Sequence, residues 1–323
     1  MEKIVRVVII GLATFIVLKV TTFGWKFFTR SSVNLKPRDS SIINSLKRHI
    51  YKISYEIGNR NIFDYGNLEK TAVYITEQFK AYGYDVGFQQ YLIENIKVRN
   101  IIATKKGIKS PAELIVVGAH YDSCFNPGAD DNASGVAGLL ELARFMADKE
   151  INRTIEFIAF VNEEPPFFKT EDMGSRVYAR GAKARNESIK SAVILESIGY
   201  YNNKINSQRY PIITGIFYPN KANFIAVIGN FNSRHLANKI TEYFKKYSNF
   251  PIESCNFGFI PGSDFSDHRS FWVEGYPAVM ITDTAFLRNH NYHRGSDTWE
   301  KLNYQNLACV IEGLCPVLIE LAK

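Results

Sequence analysis

The residues best suited to chemistry stand where apolar stretches of this sequence end. His120 and Asp122 come directly after the apolar run LIVVGA. Two residues apart on an extended chain, their side chains point the same way, so the carboxylate can orient the imidazole while the imidazole binds a metal ion. Asp130 and Asp131 follow in GADDNASG, whose glycines allow a turn tight enough to bring a carboxylate to a metal. Taken alone, these two acids could equally cap the next helix.

A pair of adjacent acids, Glu163 and Glu164, closes the mainly apolar stretch 155–161. Neighbouring carboxylates repel each other and lose hydration on burial, so the pair indicates a nearby cation. One acid can bind a metal while its neighbour acts as a general base on a metal-activated water. Glu196, directly after the apolar run AVIL, is a candidate ligand because an unpaired acid is costly there.

A second imidazole ligand is expected from the later part of the chain, which offers His268, His290 and His293. Spacing alone does not choose among them. We prefer His293, because its loop follows the predicted strand YPAVMITDT and can reach the same sheet edge as the other candidates. His268 is expected to line the substrate pocket or to stabilise its loop. The four cysteines form no CxxC pair and no zinc-finger spacing, so histidines and carboxylates are the expected metal ligands.

Short apolar strands alternate with amphipathic helices through most of the chain. This alternation predicts a single α/β domain over residues 38–323, with a mostly parallel mixed central sheet covered by helices on both faces. Ligands bind beyond the carboxyl ends of such strands, which is where the candidate residues stand. Residues 201–230, rich in Asn, Tyr, Pro and Gly, interrupt the alternation and predict a long insertion that borders the site.

Residues 1–30 are predicted to be a signal or membrane anchor. The uncharged, mainly apolar run Val7–Leu18 lies between Arg6 and Lys19, which can extend it to membrane thickness by snorkelling. No small-x-small cleavage site follows, which favours an uncleaved anchor, although a buried core helix is the alternative. We expect the catalytic domain to face the periplasm or another extracytoplasmic space. The net charge of +7 is scattered and accompanies no nucleic-acid motif, so no nucleic-acid partner is expected.

In their order and wording, the motifs HYDS, GADDNASG, NEE, the acid after AVIL and YHRGSDT resemble a known family. It is the co-catalytic zinc peptidase family that includes secreted bacterial leucyl aminopeptidases and glutamate carboxypeptidases, with glutaminyl cyclases as relatives. The resemblance covers residues 40–323 and implies two zinc ions in one site. The implied activity is hydrolysis of peptide bonds, with removal of N-terminal residues as the expected reaction and peptides as the substrates.

The resemblance also implies a ligand set. His120 and Glu196 would hold one zinc, Glu164 and His293 would hold the other, and Asp131 would bridge the two. Many members of the family have Asp where this chain has Glu196. The longer side chain can still bind zinc, but the metal preference of that position is put in question.

Supporting roles follow from the same resemblance. Asp122 would hold His120 in place, and Tyr292 would steady the oxyanion of the tetrahedral intermediate. Glu163 would act as the general base, taking a proton from the metal-bridging water and passing it to the leaving amine. The peptide bond after Asp131 is expected to be cis.

Two other functions stay open at this point. One is a glutaminyl cyclase-like acyltransferase with one zinc, and the other is a catalytically inactive, receptor-like ectodomain. The intact GADDNASG motif and the paired glutamates favour the peptidase over the cyclase. An inactive ectodomain would be expected to lose ligands, whereas this chain keeps all five and the base.

Overall fold

A computed structural model describes residue 37 and residues 39–211, 215–258 and 260–323. The predicted N-terminal anchor, residues 1–30, lies outside these ranges.

The described residues form one eight-stranded sheet in the order β1-β2-β4-β3-β5-β8-β6-β7. Its strands are β1 Asp85–Ile93, β2 Ile96–Lys105, β3 Ser110–His120, β4 Arg153–Phe160, β5 Ser188–Glu196, β6 Ile225–Ile228, β7 Ile252–Cys255 and β8 Ala278–Thr282. The central strands β4, β3, β5 and β8 are parallel to one another. Antiparallel pairs occur toward the edges, between β1 and β2, β2 and β4, and β8 and β6. The predicted mixed, mostly parallel α/β sheet is confirmed.

Helices cover both faces of this sheet. They are α1 Ser41–Tyr51, α2 Tyr65–Ala81, α3 Gly135–Met146, α4 Gly174–Ala184, α5 Arg234–Tyr247, α6 His268–Val273 and α7 Tyr304–Ala322. Side chains of β3 alternate between two apolar cores: Ile115 and Val117 join the core that contains α1, α2, α3, α5 and α7, whereas Val116 joins the core that contains α4 and α6. This alternation is the period-2 pattern of a strand buried on both faces.

Two short strands, β6 and β7, are absent from the sequence prediction. Each has four residues, which is too short for an apolar run to stand out from its surroundings. β6 lies inside the stretch that was predicted as an insertion, and it pairs antiparallel with β8. The sheet therefore continues two strands beyond β8.

Among the described helices, α7 is long and apolar enough to cross a membrane, with a mean hydropathy of 1.4. It nevertheless lies against α1, α3 and α5, and 67% of its apolar window is buried inside the protein. This burial is typical of a core helix.

Candidate metal centre

The ends of three parallel strands bring the candidate residues to one edge of the sheet. β3 ends at His120, β5 ends at Glu196, and the paired acids follow directly after β4. Asp131 lies in the turn that precedes α3, and His293 lies in the loop after β8. Because β3, β4 and β5 are neighbours, their carboxyl ends and the following loops surround one cleft.

Two groups of potential ligands share Asp131. His120 Nε2 lies 3.2 Å from Asp131 Oδ1 and 3.2 Å from Glu196 Oε2. His293 Nε2 lies 3.0 Å from Asp131 Oδ2 and 3.3 Å from Glu164 Oε2. Asp131 thus presents one oxygen to each group, which is the arrangement that a bridging ligand requires.

The polar atoms of this cluster fit divalent cations. Among the described residues, no hydrogen-bond partner is found for either ring nitrogen of His120, for Glu164 Oε1 or for His293 Nε2, although all four atoms are buried. Buried polar atoms in folded proteins nearly always have a partner. The carboxylates also outnumber the two imidazoles, and a set of imidazole and carboxylate ligands is one that zinc binds.

The buried carboxylates of the cluster favour a positive charge nearby. Burial, reinforced by repulsion from Asp131, raises the pKa of Glu164 to about 7. Burial also raises the pKa of Glu163 and of Glu196. A bound cation would reverse these shifts, because it favours the ionised form of each carboxylate.

Asp122 connects the ends of β3 and β4. One of its oxygens lies 3.5 Å from His120 Nδ1. Its two oxygens accept the backbone N–H groups of Glu163 at 3.1 Å and Glu164 at 3.0 Å. Asp122 therefore lies beside the imidazole and at the same time fixes the backbone that carries both glutamates.

The turn that carries Asp131 is held against β5. The Asp131–Asn132 peptide bond is cis, as expected. Asn132 Oδ1 accepts the N–H of Ser197 at 3.1 Å, and its Nδ2 donates to the carbonyl of Leu195 at 2.9 Å. Gly128 has φ +55°, and a Cβ at that position would lie 2.4 Å from the carbonyl oxygen of Asp131. Glycine is therefore required at the start of this turn.

Glu196 reaches the cluster in spite of differing from the family's usual Asp. Its Oε2 accepts a hydrogen bond from Ser266 Oγ at 2.8 Å, and its Oε1 accepts one from Ser197 Oγ at 3.1 Å. These two hydroxyls fix the longer side chain with one oxygen facing His120. The geometry thus accommodates glutamate as a ligand at this position.

Of the three late histidines, the structure brings His293 to the cluster. His268 is buried elsewhere, with Nε2 2.8 Å from the carbonyl of Ser263 and its ring edge-on to Trp272. Burial lowers the pKa of His268 to about 4, so it is a neutral, structural histidine. His290 packs edge-on against Tyr200.

Tyr292 lines the cleft together with Glu163, Glu164, Glu196 and His293. Its ring stacks on that of His293, with centroids 3.9 Å apart and planes 14° apart. Burial raises the pKa of its hydroxyl, so it stays protonated and able to donate a hydrogen bond.

Cys124 was not among the site residues predicted from the sequence. Its Sγ lies within 4.8 Å of ligand atoms of Glu164 and His293, so one possible ligand group contains sulfur. A search for paired cysteines could not find it, because Cys124 comes singly from the loop after β3.

Arg60 is a second residue that sequence reasoning missed. Its fully buried guanidinium donates to the carbonyls of Tyr121 at 2.8 Å, Pro127 at 2.6 Å and Gly128 at 2.8 Å. The guanidinium is therefore hydrogen-bonded to both ends of the loop 121–128. Burial lowers the pKa of Arg60 to about 10, and it stays charged at neutral pH.

A layer of buried acids lies beneath the cluster. Asp297 accepts the backbone N–H groups of Asp130 at 3.1 Å and Asp131 at 3.2 Å. Asp130 in turn accepts from Gly199 N at 2.9 Å and Asn289 Nδ2 at 2.7 Å. Asp130 therefore supports the turn, whereas its neighbour Asp131 faces the cleft. Asp297 belongs to the motif YHRGSDT but had been given no role.

An apolar cavity opens from the cluster. Glu196 and Tyr292 lie among the residues that line it, and most of the others are apolar or aromatic: Tyr210, Tyr218, Phe224, Ile228, Met280 and Phe286. Several of these belong to residues 201–230. The stretch predicted as an insertion therefore borders the site.

The amino-acid sequence is similar to those of known peptidases. Residues 100–317 match the family described as Peptidase family M28. The uncharacterized protein YfbL of Escherichia coli K12 is 37% identical, over 94% of this chain and 97% of its own length. Probable leucine aminopeptidase 1 of Trichophyton verrucosum is 27% identical, over 91% of this chain and 75% of its own length.

Solved structures share the fold. The zinc aminopeptidase BSAP from Bacillus subtilis superposes with a TM-score of 0.70 at 17% identity, covering 87% of this chain and 95% of BSAP. Bacteroides thetaiotaomicron glutaminyl cyclase superposes with a TM-score of 0.66 at 17% identity, covering 88% of this chain and 99% of the cyclase. The fold alone therefore does not separate peptidase from cyclase.

Proposed function

Because the chain belongs to peptidase family M28, we propose that it is a two-zinc aminopeptidase that removes apolar N-terminal residues from peptides. The family and its relatives make the chain a zinc metallopeptidase of the aminopeptidase type. We further propose that the site binds two zinc ions, that individual residues have the roles given below, and that apolar N-terminal residues are preferred. The observation that carries them is the position of Asp131, shared between two ligand groups beside an apolar cavity.

In this proposal, His120 and Glu196 would hold one zinc ion, Glu164 and His293 would hold the other, and Asp131 would be shared between them. The chemistry that zinc supplies in such a site is Lewis-acid polarisation of the scissile carbonyl and of the attacking water. The contacts of the chain's own residues support this division, since each imidazole lies within 3.3 Å of two carboxylate oxygens.

Glu163 is the residue that moves the proton. It lies in the cleft, with one oxygen 3.9 Å from His120 Nε2, and it is buried. With cations beside it the carboxyl group is ionised and can take a proton from a water that is held next to it. The same carboxyl group then delivers the proton to the leaving amine. Asp122 fixes the Glu163 backbone during both steps.

The apolar cavity favours an N-terminal residue as the group that binds there. It begins at Glu196 and Tyr292, so a side chain inside it places the adjoining α-ammonium group close to the carboxylates. The ammonium gains charge pairing there, and the side chain gains burial of apolar surface. Tyr292 lies at the junction, where its hydroxyl can donate to the carbonyl oxygen as negative charge develops.

The purified chain should contain two zinc ions and hydrolyse Leu, Phe and Met amides with kcat/KM at least about tenfold above that for Gly and Asp amides. Metal analysis, a panel of aminoacyl amides and a set of N-terminal glutaminyl peptides test this together. One zinc with cyclisation of the glutaminyl peptides would instead identify a glutaminyl cyclase. Two zinc ions without turnover of any substrate would support the inactive ectodomain.

Filling the apolar cavity should change the substrate preference. Ile228→Trp places a large ring among the lining residues, so we expect kcat/KM for Leu and Phe amides to fall by about tenfold or more, with a smaller loss for Ala amide. The matched control is Ile205→Trp, because Ile205 is 69% exposed in the same insertion and does not line the cavity. Equal losses for all substrates, or equal effects of the two variants, would show that the cavity does not select the side chain.

We also propose that residues 1–30 keep the chain at a membrane, with the catalytic domain on the extracytoplasmic side. The support is the uncharged run Val7–Leu18 between Arg6 and Lys19, without a following cleavage signal. Full-length chain should fractionate with membranes, and a chain that starts at Asn34 should be soluble and still active, because every proposed site residue follows it. Full-length chain in the soluble cytoplasmic fraction would refute the anchor.

A further inference from the structure

We propose that the thiol of Cys124 is a sulfur ligand of the metal position formed by Glu164 and His293. This inference rests on the metal centre proposed above, but it concerns a residue outside the five ligands that the family resemblance supplies. Its consequence is that the two metal positions differ in ligand type, one being built from nitrogen and oxygen and the other also from sulfur.

The separations fit a shared ion. Sγ of Cys124 and one ligand atom each of Glu164 and His293 all lie within 4.8 Å of one another. Zinc binds sulfur at about 2.3 Å and nitrogen or oxygen at about 2.1 Å, so two such ligands in a tetrahedral site lie roughly 3.6 Å apart. The limit of 4.8 Å is compatible with this separation.

Two residues beside Cys124 have buried polar atoms without hydrogen-bond partners among the described residues. Glu164 is 3% exposed, and its Oε1 has no hydrogen-bond partner among the described residues. His293 Nε2 is likewise buried and unbonded within that part of the chain. Both residues belong to the group that includes the thiol. Cys124 itself is a free, half-buried cysteine.

The loop that carries Cys124 is fixed. Arg60 binds the carbonyls of Tyr121 and Gly128, at the two ends of the loop. Inside it, the N–H of Ser123 donates to the carbonyl of Arg60 at 2.9 Å, and Ser123 Oγ donates to the carbonyl of Asn126 at 2.9 Å. The thiol therefore approaches Glu164 and His293 from a backbone that is held on both sides.

A sulfur ligand makes this position selective. Thiolates favour soft or borderline ions such as Cd²⁺ and Zn²⁺, whereas carboxylates and water suit Mn²⁺ and Mg²⁺. The position at His120, Asp131 and Glu196 contains no sulfur. We therefore expect Cys124 to raise the preference for zinc over manganese at one position only.

Substitution of cobalt for zinc detects a metal–sulfur bond directly. Metal-free full-length chain loaded with two equivalents of Co²⁺ should show a sulfur-to-cobalt charge-transfer band in the near ultraviolet. Cys124→Ser should lose the band and bind one of its two zinc ions about 10–100-fold more weakly in a chelator competition, with the other unchanged. Cys255→Ser is the matched control, since Cys255 is also free and half-buried but lines the apolar cavity. It should keep both the band and the affinity.

Alkylation of the unmutated chain gives a second measurement if Cys124→Ser does not fold. Bound zinc should slow the reaction of Cys124 with iodoacetamide by about tenfold or more, as followed by mass spectrometry of its peptide. Zinc-independent alkylation, or two bound cobalt ions without the charge-transfer band, would overturn the sulfur ligand while leaving the two-metal peptidase intact. Absence of any bound metal would overturn both proposals, and amide hydrolysis is measured separately.

Discussion

Glu163→Gln should lower kcat by about 10²–10⁴-fold while leaving two metal ions bound per chain. The amide occupies the same space as the carboxylate but cannot accept a proton, and general base catalysis accounts for a factor of this size. The backbone N–H of Glu163 still donates to Asp122, so the local structure should be kept. Steady-state kinetics with a Leu amide, together with metal analysis of the same sample, measures both quantities.

The neighbouring acid provides the matched control. Glu164→Gln removes a proposed ligand rather than the base, so it should lose one metal ion, and added zinc should restore part of its activity. Glu163 also lies close enough to His120 and Glu164 to be considered as a ligand by distance. If Glu163→Gln lost a metal ion, or kept more than half of the original turnover, its assignment as the general base would be wrong.

The parts of the fold and site that were predictable are those that local patterns encode. Apolar runs located the central strands, and the polar residues that follow them located the cleft, because the ends of parallel strands meet at one edge. Asp131 was found through a motif whose glycines have a local conformational reason, as Gly128 illustrates.

The unpredicted residues act through contacts between distant segments. Arg60 binds carbonyls 61 to 68 residues later in the chain, and no local pattern marks that pairing. Asp267 is fully buried and interacts electrostatically with His120 and Glu196, yet in the sequence it resembles any polar residue of a loop. Cys124 has no cysteine partner in sequence. Its relation to His293 depends on how the loops after β3 and β8 fold over the same sheet edge.

Removal of the metal ions should make the stability of the chain strongly dependent on pH. Without cations, burial raises the pKa of Glu164 to about 7, of Asp267 to about 7 and of Asp297 to about 8. An acid whose pKa is higher in the folded than in the unfolded state stabilises the fold only while it is protonated. That contribution is complete below the unfolded pKa, near 4, and is lost as the pH rises through 7 to 8.

Between pH 5.5 and its folded pKa of about 7, Glu164 alone loses about 2 kcal/mol of this stabilisation, since one pKa unit is about 1.4 kcal/mol. At roughly 2 °C per kcal/mol for a chain of this size, the Tm of the metal-free chain should fall by at least about 4 °C between pH 5.5 and pH 8.5. The zinc-loaded chain should change much less over this range, because the ions favour the ionised carboxylates. Calorimetry of the two forms at pH 5.5, 7.0 and 8.5 measures the difference.

The substitution Asp267→Asn tests one of these three buried acids without changing a proposed metal ligand. Neither oxygen of Asp267 has a hydrogen-bond partner among the described residues, and the amide has nearly the same shape. In the metal-free chain the variant should be more stable than the original at pH 8.5, where Asp267 is ionised in the folded and the unfolded state. The difference should be smaller at pH 5.5, where Asp267 is still protonated in the folded state. A metal-free chain whose Tm does not depend on pH would contradict the view that the buried acids need cations. It would remove the electrostatic support for placing two zinc ions beside Asp131.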